Sequence, residues 1–412
     1  MPWGIGCDLG RCEHDSFCPD YFRASLIEVP GVSQPLPYLR LSSFYLFYFA
    51  TLGVLIPYWS PYLESLGFSI MEIGELTAVL AATKVVAPNI WGWWADHRGE
   101  HLGVVRFASL ASIITFAGVF VGSDYWWMAL VIAAFSFFWN ASLPQFEAVT
   151  LNHLQGQVER YSSIRAWGSV GFIATVALLG LLLERWGVEL VPIVLMVLMA
   201  GIWLASLMVP RVPDRDHESA PLSLKSVLSR PVVVALLFVA FLNQAAHGTY
   251  YTYYTLYMEQ FGHDKGVIGM IWALSVAAEV AVFTVMAKWV PRFGERNLLL
   301  MSLLLGAVRW LMTALFAESL LLMFLVQMLH AASFGVIHAV SIHMIHDLFR
   351  GKLQGRGQAL YSSLSFGVGG VVGSLLGGYV WTTQGASSIF ILSALLSLLA
   401  FGVSWKWIYI KK

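Results

Sequence analysis

Residues 57–67 of this chain, PYWSPYLESLG, return in altered form as residues 252–262, TYYTLYMEQFG, 195 positions further along. The same shift preserves further matches: Tyr58 with Tyr253, Tyr62 with Tyr257, Glu64 with Glu259, Ile73-Gly74 with Ile268-Gly269, and Gly99 with Gly294. At a shift of 200, Tyr161–Ile164 also overlays Tyr361–Leu364. Several matches in the same order indicate that the chain consists of two related halves.

The composition places these halves in a membrane. Of the 412 residues, 58% are apolar and only 12% are charged, whereas a soluble domain carries about 25% charged residues. The apolar residues also form long blocks, such as the uncharged stretch 172–183. A water-soluble α/β enzyme is therefore excluded, and a net charge of +0 gives no reason to expect a nucleic-acid partner.

Hydropathy predicts twelve spanning helices, six in each half. They lie near residues 38–63, 70–94, 102–122, 125–150, 162–183 and 188–209, and near 232–258, 266–290, 297–316, 319–346, 357–381 and 386–409. We therefore expect an all-α integral membrane protein with two parallel six-helix bundles, at 38–210 and 232–412, joined by a polar linker at 211–231. In such folds, substrates bind near mid-membrane between the repeats.

The stretch 1–37 is polar, irregular and rich in Pro and Gly, and it lacks the apolar core of a cleaved signal peptide. We interpret it as a disordered tail. It contains Cys7, Cys12 and Cys18, but their spacing matches no standard zinc pattern, so no metal site is expected. Because residues 33–37 lead directly into the first helix, one hypothesis is that translation begins near Val32.

The distribution of Lys and Arg predicts the orientation. One side carries Arg98, Arg160, Arg211, Arg215, Lys225, Arg230, Lys288, Arg292, Arg296, Arg350, Lys352, Arg356, Lys406, Lys411 and Lys412. The other side has Arg185 and Lys265. The positive-inside rule places the first side, with both termini, in the cytoplasm, and we expect a bacterial inner membrane.

A motif follows the second predicted helix. Residues 92–99, GWWADHRG, resemble the G-x3-D-[RK]-x-G signature of the major facilitator superfamily, although His97 replaces the usual cation. The second copy, PRFGER at 291–296, has lost the aspartate. The resemblance implies a major facilitator fold with a cytoplasmic gate at Gly92, Asp96, Arg98, Gly99, Arg292, Gly294 and Arg296. The alternative is an ordinary capped turn.

Further local matches lie in order along the body of the chain: 165–169, 244–251, 278–279, 309–310, 327–330 and His338. They resemble the proton-symporter branch of the superfamily that contains 3-phenylpropionate permease and, more distantly, lactose permease. The resemblance covers roughly residues 38–410 and implies secondary active transport.

Ionisable groups lie well inside the predicted spans: Lys84, Glu147, Arg165, Glu279 and Arg309, with His247, His330 and His338. A charge at the centre of a spanning helix costs about 2.5–3.5 kcal/mol, so these groups are expected to face a polar interior. We predict that Lys84, Glu147, Arg165, His247, Glu279 and Arg309 form the substrate site.

For two pairs among these residues, the positions in the predicted helices indicate that the side chains lie close together. Glu147 and Arg165 lie at facing ends of consecutive helices, so a salt bridge is within reach; it either belongs to the site or is a structural pair at the rim. Lys84 and Glu279 are related by the 195-residue shift and would face a common axis. Lys84 is then either a substrate residue or a structural partner of Glu279.

The resemblance adds roles for several of these residues. Glu147, Arg165 and Glu279 match residues of the lactose permease sugar site, and a basic residue stands at the place of Lys84 in 3-phenylpropionate permease. Arg309 and His330 match the proton-coupling cluster of lactose permease, but Ser333 replaces its glutamate. We expect Glu279, His330 and His338 to be the candidates for proton coupling, because a desolvated carboxyl group titrates closer to neutral pH and an imidazole group already titrates near it.

The predicted site has three cations, Lys84, Arg165 and Arg309, against two carboxylates. A net positive pocket shielded from water favours an organic anion. We therefore predict proton-coupled uptake of a small aromatic monocarboxylate by alternating access. The alternatives are a sugar:proton symporter and a transport-inactive sensor or scaffold.

We expect no enzymatic activity, because the sequence has no metal-ligand spacing, serine-triad pattern or phosphate-binding glycine loop. No cofactor is expected. The expected partners are a small-molecule substrate, protons and the lipid bilayer, and the protein is expected to be monomeric.

Overall fold

The computed structural model describes residues 36–154, 157, 159–212, 227–350 and 353–409. The helices belong to one compact unit, Pro37–Lys412. The predictions for the tail before residue 36, including the start near Val32, lie outside the described residues. So does most of the predicted linker, residues 213–226.

Twelve helical segments in the described residues match the twelve predicted spans. They are α1 (Tyr38–Ser65), α2 (Ile70–Arg98), α3 (His101–Phe120), α4 (Tyr125–Leu154), α5 (Glu159–Trp186), α6 (Leu190–Met208), α7 (Pro231–Gln260), α8 (Lys265–Phe293), α9 (Glu295–Leu315), α10 (Leu320–Leu348), α11 (Gln354–Gln384) and α12 (Ser388–Trp407). All except α2 are long and apolar enough to cross a membrane. The polar content of α2 includes Lys84, and its position in the bundle makes it the twelfth span.

Local sequence explains where α2 begins and ends. Ser69 accepts a hydrogen bond from the Glu72 N–H, and the Glu72 carboxylate accepts one from the Ser69 N–H at 2.8 Å. This reciprocal arrangement satisfies N–H groups that have no partner within the helix. At the other end, Gly99 adopts a left-handed conformation with φ 62°, and its N–H donates to the backbone oxygen of Ala95. That conformation favours glycine, and it ends the helix at Arg98.

Two helices contain a wider turn. In α10 the backbone forms a π-helical turn at Ala331–Val336, and α11 has one at Ser363–Gly369. Turns of this kind insert an extra residue into a helix and are frequent at functional sites. The turn in α10 directly follows His330, so it sets the direction of the side chains that come after this histidine.

Helices pack within each predicted bundle. In the first, α1 contacts α5 and α6, α3 contacts α4 and α6, and α2 contacts α4. In the second, α7 contacts α11 and α12, α9 contacts α12, and α8 contacts α10. The bundle and linker boundaries stay predictions, because the connection between the bundles falls largely outside the described residues.

The halves meet at one end of the helices, here named the closed end, which carries the connections at 66–69, 121–124, 187–189, 261–264, 316–319 and 385–387. There α5 packs on α8, with Gly180 against Gly266, and α2 packs on α11, with Gly378 against Met71. The contact of α2 with α11 reaches the middle of the bundle, where Val85 packs on Gly367. The residue before Val85 is Lys84, so this lysine lies at mid-depth beside the contact between the halves.

Candidate functional site

A buried arginine organises the second half. Arg309 on α9 is 0% exposed, and its guanidinium donates to Ser333 Oγ at 3.0 Å and to Gln327 Oε1 at 2.9 Å. It also lies 4.4 Å from the ring centroid of Tyr250 and 4.1 Å from that of Trp310. Neutral hydrogen-bond acceptors and aromatic faces therefore stabilise this cation. Among the described residues it has no direct ion pair with a carboxylate.

His247 on α7 lies beside Arg309. Its Nε2 is 3.4 Å from the Arg309 guanidinium, and its Nδ1 is 2.8 Å from the backbone oxygen of Asn243. The ring is 0% exposed. Since Nε2 faces a permanent cation, a neutral imidazole that accepts from Arg309 and donates through Nδ1 fits this geometry. His247 is therefore a further neutral acceptor for the buried Arg309 guanidinium.

The pair Glu279 and His330 joins α8 to α10. His330 Nε2 lies 3.6 Å from Glu279 Oε2, and the two side chains are 4% and 14% exposed, the glutamate being the more accessible. Gly335 on α10 packs against Glu279, because a Cβ built at this glycine would lie 3.0 Å from Glu279 Cγ. Two titratable groups in contact, one of them still partly accessible, form an arrangement that can take up and release a proton.

Three rings form a ladder along α10. The His330 ring stacks on Phe334 with centroids 5.3 Å apart, and Phe334 stacks on His338 at 5.8 Å. Each ring lies four residues after the previous one, which places all three on one face of the helix. His338 Nδ1 is 3.1 Å from the Tyr361 hydroxyl on α11. The two predicted proton-coupling histidines are thus linked through Phe334 rather than by direct contact.

Arg165 on α5 is a charge at the middle of the bundle that interacts with residues of both halves. Its guanidinium lies 3.8 Å from the ring centroid of Phe49. It interacts electrostatically with Glu147 in its own half and with Glu279 and His338 in the other half. Among the described residues, Glu147 and Arg165 do not form a direct ion pair. Instead, Glu147 accepts a hydrogen bond from the Tyr161 hydroxyl at 3.2 Å.

Lys84 differs from the other predicted site residues. Its neighbour Thr83 bonds to Ser136 and Asn140 on α4, but Lys84 itself has no hydrogen bond or ion pair within the described part of the chain. The Glu279 carboxylate instead lies 3.6 Å from His330 Nε2. Lys84 therefore does not serve as the structural partner of Glu279 in this conformation, and its half-buried ammonium group is left without a counter-charge.

Sequence reasoning missed the importance of Gln327. This amide is 0% exposed, and its Oε1 accepts hydrogen bonds from both Arg309 and the Tyr250 hydroxyl. A polar amide three residues before His330 in an apolar span was the available signal. Ser333 is the second residue whose contact with Arg309 the sequence did not predict. It stands where the lactose permease pattern has a glutamate, and it supplies a neutral acceptor to Arg309.

The predicted gate residues lie at the end opposite the closed end. Asp96 contacts His101, which contacts Gln145 on α4 at 2.7 Å. Arg98 lies over the Trp94 ring at 4.8 Å. These contacts stay within the first half, and the αL conformation of Gly99 fits the capped-turn alternative. Gly92 lies beside Gln145, with 3.5 Å between a built Cβ and Gln145 Nε2.

The second copy of the motif makes different contacts. Arg292 lies over the Phe293 ring at 5.4 Å, Gly294 has φ 75°, and Arg296 donates to the backbone oxygen of Trp405 at 3.0 Å. A gating role for either copy stays a prediction.

The one described cluster with metal-ligand chemistry is Glu295, His343 and Asp347, also at the end opposite the closed end. His343 contacts Glu295 directly and lies 4.0 Å from Asp347. His343 and Asp347 are more than half exposed. A hydrogen bond between His343 and Glu295 accounts for this cluster, and it is separate from the charges at mid-depth.

The sequence profile of the MFS_1 like family matches residues 38–392. The chain is 28% identical to the probable 3-phenylpropionic acid transporter of Escherichia coli (strain K12), over 86% of this chain and 93% of that protein. It is 25% identical to the maltose permease of Geobacillus stearothermophilus, over 82% and 86% of the two chains.

A crystal structure of a mutant form of the nucleoside transporter NupG superposes with a TM-score of 0.81 at 18% identity, covering 90% of this chain and 100% of that one. This similarity shows a shared fold. It confirms the major facilitator architecture, and the sequence relatives are transporters rather than enzymes. This chain is therefore a multi-span membrane protein that belongs to the MFS_1 like family of major facilitator transporters.

Proposed function

We propose that this protein is a proton-coupled secondary active transporter that imports a small aromatic monocarboxylate by alternating access. The observation that carries the proposal is the Lys84 ammonium group, which lies at mid-depth without a counter-charge among the described residues. An unpaired charge in such a place is costly. A carboxylate substrate supplies the missing negative charge.

Arg165 and Glu279 provide a physical route for coupling. The two side chains lie in different halves and within electrostatic range of each other. A proton on Glu279 removes the negative charge that interacts with Arg165, so Arg165 becomes available to an anion alongside Lys84, which is unpaired throughout among the described residues. Binding of a proton and of a carboxylate then favour each other, and by linkage each increases the affinity for the other. His330, in contact with Glu279, is the neighbouring group that can exchange this proton.

The likeness to the probable 3-phenylpropionic acid transporter supports an aromatic acid as the substrate class. A sugar is the second candidate, since the chain is also similar to a maltose permease and since Glu147 and Arg165 resemble residues of the lactose permease sugar site. The two candidates differ in what they require of Lys84, because a neutral sugar supplies no charge for it. The positive-inside distribution supports cytoplasmic termini, so the closed end would face the outside.

The test is uptake of labelled 3-phenylpropionate and maltose into proteoliposomes, with protein-free liposomes as the control for passive permeation of the acid. We expect 3-phenylpropionate to accumulate when the outside is more acidic, and to equilibrate when the pH is equal on both sides. Flux that never becomes concentrative would reject proton coupling and identify the protein as a passive facilitator. Concentrative uptake of maltose instead would identify the sugar alternative.

A further inference from the structure

The N-terminus of α8 is capped by a side chain from the other half of the protein. Asp264 precedes the helix, but its side chain makes no capping hydrogen bond. Instead, the Gly266 N–H donates to Glu184 Oε1 at 2.7 Å. Glu184 lies near the end of α5, so a carboxylate of the first half satisfies a backbone donor in the first turn of a helix in the second half.

The equivalent helix in the first half does not need this help. The 195-residue shift relates Met71 on α2 to Gly266 on α8. The N-terminus of α2 is capped from within by Ser69 and Glu72. The two pseudo-equivalent helix starts therefore differ in where their hydrogen-bond acceptor comes from, and of these two caps only the one on α8 crosses between the halves.

Helix electrostatics also indicate that Glu184 acts across the halves. A carboxylate in the last turn of its own helix is unfavourable, because that end carries partial negative charge. At the N-terminus of α8 the same carboxylate meets partial positive charge and an N–H donor. The position of Glu184 is thus unfavourable for α5 alone and favourable for α5 together with α8.

α5 and α8 approach each other closely at this contact, and glycines occupy the positions of closest approach. A Cβ built on Gly266 would lie 2.5 Å from Glu184 Oε1 and 2.8 Å from Leu181 Cδ2. A Cβ on Gly180 would lie 2.6 Å from the Lys265 backbone oxygen. Lys265 itself is paired with Glu259 in its own half, so its ammonium group does not compete for Glu184.

We infer that Glu184 is a latch that holds the closed end shut, and that opening this end to the other face of the membrane requires the Glu184–Gly266 hydrogen bond to break. The inference rests on the proposed alternating access, since it is that motion which separates α5 from α8. Glu184 then sets the ratio of the two conformations without touching the substrate.

The experiment measures a distance across the closed end by double electron–electron resonance in nanodiscs. Spin labels are placed at Ser123→Cys and Glu318→Cys, two exposed loop positions in different halves, after Cys7, Cys12 and Cys18 are replaced by Ser. Glu184→Ala removes the cap, and Glu184→Gln keeps an oxygen acceptor without the charge. Glu189→Gln is the matched control, because Glu189 is exposed on the same end and packs against Gly187 of its own half.

Loss of a helix cap changes such an equilibrium about fivefold. We expect Glu184→Ala to increase the long-distance population relative to the short one by about that factor, Glu184→Gln by less, and Glu189→Gln not at all. Distance distributions that are the same in Glu184→Ala and in the parent would overturn the latch, even if the parent transports. A shift in Glu184→Ala with no uptake of any substrate by the parent would support the latch and reject the proposed function.

Discussion

Tyr58 and Tyr253 hold equivalent positions in the two halves and make equivalent contacts. Each hydroxyl donates a 2.7 Å hydrogen bond to a backbone oxygen, Tyr58 to Val176 and Tyr253 to Ser374. Each hydroxyl also lies against a glycine of the opposite half. A Cβ built on Gly269 would lie 2.4 Å from the Tyr58 oxygen, and one on Gly74 would lie 2.1 Å from the Tyr253 oxygen. The internal repeat thus produces two matching tyrosine–glycine contacts between the halves at the closed end.

The contact between Tyr58 and Gly269 can be tested by a double-mutant cycle. Gly269→Ala places a methyl group where the Tyr58 hydroxyl lies, so we expect it to lower the thermal unfolding temperature in detergent. Tyr58→Phe removes that hydroxyl, so the same alanine should cost less in this background, with a coupling of about 0.5–3 kcal/mol. Strictly additive effects would show that the two residues do not contact each other across the halves.

Lys84 should be required for anion transport. Lys84→Gln removes the unpaired positive charge, and we expect at least a tenfold loss of kcat/KM for 3-phenylpropionate, since a hydrogen bond to a charged group contributes about 1.5–3 kcal/mol. Lys84→Arg should retain most uptake. Lys288→Gln, an exposed cation on α8, is the control for charge alone. Full uptake by Lys84→Gln would remove the anion assignment.

Glu279 should be required for coupling rather than for binding. Glu279→Gln mimics the protonated carboxyl, so we expect accumulation driven by a pH gradient to be lost while exchange of labelled for unlabelled substrate continues. Glu159→Gln, at an exposed position on α5, is the matched control. If Glu279→Gln still accumulates substrate, the proton role passes to His330 or His338, and single His→Gln variants assayed in the same way would show which one.

Gln327 should be a stability residue. Gln327→Ala leaves the buried Arg309 guanidinium and Tyr250 hydroxyl without an acceptor that both now use. Such a loss costs about 1–3 kcal/mol for each unsatisfied buried group, so the thermal unfolding temperature in detergent should fall clearly. Gln384→Ala, an exposed amide at the end of α11, should change it little. Equal, small effects of both substitutions would contradict the described Arg309 cluster.

The sequence predicted the architecture well, because long apolar segments and a 195-residue repeat reflect the constraint that the bilayer places on a helical chain. Segment ends were less accurate. Hydropathy ended the second span near residue 94, whereas α2 continues to Arg98, since the αL conformation of Gly99 rather than polarity terminates it. The π-helical turn at Ala331–Val336 has no hydropathy signal at all.

For the site, the sequence identified which charges lie inside the spans but not which side chains contact each other. The 195-residue shift related Lys84 to Glu279, yet the direct partner of Glu279 is His330. The sequence placed Glu147 and Arg165 at facing ends of consecutive helices, where a salt bridge was possible. In the structure, the Arg165 guanidinium instead lies over the Phe49 ring. Contacts of this kind depend on helix rotation, which the hydropathy pattern does not specify.

The most direct test of proton-coupled anion transport is the pH change that substrate addition causes outside proteoliposomes with no imposed gradient. After subtraction of the signal from protein-free liposomes, we expect 3-phenylpropionate to make the outer medium more alkaline, and maltose to leave its pH unchanged. The Glu279→Gln variant should give no such signal. Alkalinisation by maltose, or carrier-dependent entry of 3-phenylpropionate with no accompanying proton movement, would contradict coupled transport of the acid.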